Sequence, residues 1–94
     1  MAHLTDSEVE AVRQAPRTQR LRAAVRASSF TFPALAAKVG ISRAHLAGVA
    51  GGRQQLSLAL KLRVARVLGV PATLLWPHLE TLALEILHGV RRRS

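Results

Sequence analysis

Apolar positions in this chain recur mostly at helical spacing. Leu35, Ala36 and Val39 form one stripe, and Leu46 and Val49 continue it beyond a break at Gly40. Polar residues frame these stripes. Thr5-Asp6-Ser7-Glu8 has capping-box spacing and predicts a helix over residues 6–15, which Pro16 ends. Thr18 is placed to cap a second helix, to about residue 28. Thr31 caps a third, with Phe32-Pro33 in its first turn, where proline costs little. Ser42 caps a fourth that Gly51-Gly52 ends, and Ser57 caps a fifth that stops at Gly69. Pro71 opens a short sixth, and a last one spans residues 78–88 before Gly89 and Arg91-Arg92-Arg93. The expected architecture is all-α: a compact bundle of five core helices with extra N- and C-terminal helices.

One segment reads two ways. Leu56, Leu58, Leu60, Leu62 and Val64 alternate with Ser57, Ala59, Lys61 and Arg63, which taken alone is a strand pattern. Leu, Ala, Lys and Arg are good helix formers, however, and a lone strand has no evident partner in this chain. The helical reading puts Leu58, Leu62, Ala65 and Leu68 on one face, with Val64 alongside.

The stretch over residues 31–52 combines two short helices with a tight turn. Gly40 allows a left-handed backbone turn, Ile41 plugs the gap between the helices, and Ser42 caps the second of them. This is the sequence form of a helix-turn-helix, whose second helix usually enters the DNA major groove. The chain here resembles the Cro/C1-type (XRE-like) helix-turn-helix family. Residues 21–30 are similar to that family's first helix, residues 57–70 to its fourth, and residues 71–77 to the short fifth that closes the fold. The resemblance covers residues 18–77 as a DNA-binding domain. It leaves residues 1–17 as a helical extension and 78–94 as an apolar helix with a basic tail.

The resemblance implies a regulator of transcription, a repressor, that inserts the helix from Ser42 to Ala50 into double-stranded DNA. Its base-reading positions fall on Arg43, Ala44, Ala47 and Gly48, with His45 beside them at the helix start. Arg43 can bond bidentately to guanine, Ala44 or Ala47 can touch a thymine methyl, and Gly48 would let backbone approach the groove wall. Phosphate contacts are expected from Thr31 and Ser42 at helix N-termini and from Arg53, Gln54 and Gln55 in the following loop, with Arg22 and Lys38 beside them. Phe32 stands where the family favours a polar residue, often glutamine, and Lys61 where it favours an apolar one. A buried ion pair common in the family is replaced by Val25 and Ala50, a tolerable exchange because both charges go together.

Charge agrees with an anionic partner. The formal net charge is +9, and no Asp or Glu occurs between Ala11 and Leu79, where eleven Lys or Arg lie. Such a block repels itself unless something anionic compensates, and phosphate backbone is the natural candidate. The last helix carries Leu79, Leu82, Ala83, Ile86 and Leu87, more apolar surface than a small domain needs to cover. A homodimer is therefore expected, with two recognition helices about one DNA turn apart.

Other classes fare worse. There is no cysteine nucleophile or G-x-S-x-G elbow, and His3, His45, His78 and His88 lack metal-ligand spacing. The glycine-rich run over residues 48–53 lacks the Gly-Lys-Ser/Thr ending of a phosphate loop. No enzyme, cofactor or metal is expected. No apolar run reaches bilayer length and the N-terminus lacks signal-peptide character, so a cytosolic protein without a membrane role is the default. Two alternatives carry a protein partner: an antitoxin of the same fold that grips a toxin, or an interaction module, such as a phage effector, that binds a host factor.

Overall fold

A computed structural model of the chain describes residues 4–79. Six α-helices fill this span: α1 Asp6–Gln14, α2 Arg20–Ala27, α3 Phe32–Val39, α4 Arg43–Ala50, α5 Leu58–Leu68 and α6 Ala72–Leu75. No strand occurs among the described residues, so the fold is all-α. α1 packs on α2 and α6, α3 on α4 and α5, and α5 on α6. Leu35, Leu46, Leu68 and Leu75 are fully buried where these helices meet. No helix among the described residues is long and apolar enough to cross a membrane. Beyond Leu79, the expected final helix and its Leu82, Ala83, Ile86 and Leu87 lie outside the described residues.

Local chemistry sets the helix starts. The Thr5 hydroxyl accepts from the Glu8 amide at 3.2 Å while the Glu8 carboxylate accepts from the Thr5 amide at 2.9 Å, a complete capping box. Ser57 caps α5 by accepting from the Leu60 amide at 3.3 Å. α2 departs from expectation. Thr18 does not cap it; residues Arg17–Gln19 form a 3-10 turn, and Gln19 precedes the helix with no side-chain cap. The Gln19 amide instead donates to the Pro16 carbonyl at 2.8 Å, which turns the chain between α1 and α2.

The Arg20 guanidinium fastens that corner. It donates to the carbonyls of Ala15, Leu74 and Arg13 at 3.4, 3.1 and 3.0 Å, joining the end of α1 to α6.

α5 is a helix, as propensity suggested, but its inward face differs from the expected one. Lys61, Val64, Ala65 and Leu68 are buried, at i, i+3, i+4 and i+7. Leu58 and Leu62 are 50% and 51% exposed. They sit roughly 80–120° around the helix from Leu68, off the face that meets α3 and α6. Leu62→Ser is therefore expected to change stability by less than about 0.5 kcal/mol. Val64→Ala removes two fully buried methyl groups and should cost about 2 kcal/mol, read from urea unfolding of both variants.

Candidate nucleic-acid interface

The turn between α3 and α4 follows from one glycine. Gly40 adopts φ 89°, a left-handed conformation that costs a residue with Cβ roughly 1–2 kcal/mol. The amides of Gly40 and Ile41 both donate to the Ala36 carbonyl, at 2.8 and 3.0 Å, and close the end of α3. Arg63 from α5 donates to the Val39 carbonyl at 3.0 Å and holds that end against the body. Ile41 is half-buried against the core, filling the gap between the helices.

α4 starts at Ser42, whose hydroxyl accepts from the His45 amide at 3.0 Å. Its inward side chains are Leu46 and Ala50. Arg43 and Ala44 are exposed in the first turn, with Ala47 half-buried one turn on. Helical geometry places these three on one sector of about 100°. His45 is half-buried to one side.

Gly48 does not belong to the exposed surface. It is buried, and a Cβ there would lie 3.0 Å from Cδ and 3.2 Å from Nε2 of Gln54. Its carbonyl accepts from the amides of Arg53 at 2.8 Å and Gln54 at 3.2 Å. These two bonds seat the returning loop on α4, and the Gln54 side chain over Gly48 leaves no bare backbone for a groove wall. The exposed sector of Arg43, Ala44 and Ala47 is flanked by the Gln54 carboxamide. Gly48→Ala should leave stability unchanged or raise it by up to about 1 kcal/mol, because helix propensity improves and a flexible side chain yields. A thermal melt checks this.

The remaining expected residues lie on α2, at the two ends of α3 and in the loop after α4. Thr31 caps α3 by accepting from the Ala34 amide at 3.3 Å. Thr31 and Ser42 each keep one O–H to donate outward. Arg53, Gln54 and Gln55 are exposed in the loop after α4, which turns through Gly52 at φ 79°. Lys38 is exposed in the last turn of α3 and Arg22 is exposed on α2. Phe32 is half-buried against the core, so its ring packs inward. Val25 and Ala50 are both buried in the apolar cluster. Leu79, expected on a dimer face, is buried in the chain's own fold.

Three basic residues have roles that sequence reasoning missed. Arg20 and Arg63 bond backbone carbonyls, an acceptor common to every residue, so no sequence spacing marks them. Lys61 left a signal, since it interrupts the stripe of Val64, Ala65 and Leu68. Its Nζ lies 3.3 Å from His78 Nε2 and 5.9 Å from the centroid of the Trp76 ring. No three metal-ligating side chains gather among the described residues. No family model, curated protein or solved structure matches this chain.

Proposed function

We propose that this chain is a sequence-specific double-stranded DNA-binding protein of the Cro/C1 type, acting as a transcriptional repressor. The carrying observation is α4: its capped first turn presents Arg43 and Ala44 to solvent while Leu46 and Ala50 anchor it to the body. A helix held this way by a preceding helix and a left-handed glycine turn suits the major groove. The acid-free sequence between Ala11 and Leu79 supports a phosphate partner. Arg43 reads guanine, Ala44 and Ala47 meet thymine methyl groups, and the Gln54 carboxamide beside them offers a donor and an acceptor to an adjacent base or sugar-phosphate. Arg53, Gln55, Thr31 and Ser42 contact phosphates.

Selection of duplexes from a random pool tests this reading. A recurring motif is expected, along with binding of random duplex whose log affinity falls linearly with log salt concentration. Two protein copies per selected site, measured by the mass of the complex, are expected of a homodimer. No shift of any duplex at low salt would overturn the proposal and favour a protein-interaction module instead.

A further inference from the structure

A concave site with a volume of about 420 Å3 lies beside Lys61. Arg17, Lys61, His78 and Trp76 are among the residues that line it. Leu21 and Leu75 contribute apolar surface.

Lys61 is the unusual element. It is only 8% exposed, on a helical stripe otherwise made of Val64, Ala65 and Leu68. An apolar residue there would bury without penalty, whereas a buried ammonium is costly unless it is met by acceptors. His78 Nε2 lies 3.3 Å from its Nζ, and because a lysine ammonium can only donate, the ring meets it as an acceptor in the tautomer that carries its proton on Nδ1. The indole face at 5.9 Å supplies a weaker electrostatic contact. Neither partner is an anion. Among the described residues Asp6, Glu8 and Glu10 are the only carboxylates, and none of them bonds Lys61.

We propose that this pocket binds a small anion, a phosphate or carboxylate group carried on a flat apolar body. Lys61 and Arg17 hold the anionic head, and Leu21, Leu75 and Trp76 pack against the body. The volume suits a ligand of metabolite size, in the usual range for small-molecule pockets.

The chain contains one Trp and no Tyr, so Trp76 emission reports on the pocket directly. The full chain is titrated with phenyl phosphate, benzoate, inorganic phosphate and the neutral control phenol. Saturable change with phenyl phosphate or benzoate is expected, at least about tenfold tighter than with phenol or inorganic phosphate. Lys61→Met keeps the length of the side chain and should weaken binding at least about tenfold. If that variant does not fold, Arg17→Ala, on the exposed rim, should weaken it at least about threefold.

Absence of saturation up to about 10 mM overturns the proposal, as does unchanged affinity in folded Lys61→Met or in Arg17→Ala. Glu80→Gln should leave affinity unchanged; binding seen only in that variant would mean a carboxylate of the chain itself fills the site, which also overturns it. No DNA enters these titrations, so their outcome is separate from that of the duplex selection.

Discussion

Arg43→Ala is expected to flatten discrimination between a selected duplex and a random one by about 1–3 kcal/mol, roughly 5- to 150-fold. Arg43 is the only charged side chain on α4, and it stands exposed in the first turn. Its sector neighbours, Ala44 and Ala47, offer methyl groups alone, so directional hydrogen bonding falls to Arg43 and to Gln54 alongside. On the proposed reading, truncation would leave a guanine O6 and N7 unmet in the selected site and change little on random sequence. Arg53→Ala makes the contrast. A phosphate contact is indifferent to sequence, so both affinities should fall together and the salt slope should drop by about 0.9. Anisotropy titrations of both duplexes at several salt concentrations separate these patterns. An unchanged ratio for Arg43→Ala would remove it from the reading head.

Arg20→Ala is expected to lower stability by about 2–3 kcal/mol, measured as the free energy of urea unfolding. The guanidinium carries three donors to three carbonyls, on Ala15, Leu74 and Arg13. Those carbonyls belong to chain ends of α1 and α6 that have no helical partner of their own. Alanine leaves them to water in a half-buried corner and loosens α1 from the rest. Arg20→Lys should recover little of the loss, because one compact ammonium cannot span three separated acceptors as a planar fork does. A loss below about 0.5 kcal/mol would show that solvent replaces the guanidinium freely.

Much of the architecture was legible because helix boundaries here are written in local chemistry. Thr5, Thr31, Ser42 and Ser57 all cap the helices they precede, and Gly40 and Gly69 take left-handed conformations after α3 and α5. Thr18 failed because it lies inside the 3-10 turn Arg17–Gln19, where the Gln19 amide bonds the Pro16 carbonyl. The inward face of α5 was misread for a related reason. Ala65 and Leu68 belong to both candidate stripes, and the neighbouring helices, invisible in sequence, choose the one containing Lys61.

The candidate interface divides in the same way. Arg43 and Ala44 were singled out by the resemblance, and both are exposed in the first turn of α4. Gly48 required knowledge of where the loop returns, since only the folded chain brings the Gln54 side chain over it. The Lys61–His78–Trp76 cluster joins residues seventeen positions apart at its hydrogen bond, beyond the reach of any local pattern.

The attachment of α1 determines where this fold opens first. Val12 is the one fully buried side chain of α1, with Val9 only partly covered where the helix packs on α2 and α6, and the guanidinium clasp holds its end. α3 and α5, by contrast, each sink three or four side chains into the centre. In heavy water the amides of α1 would therefore exchange ahead of those in α3 and α5, peeling as a unit while the remaining helices stay closed.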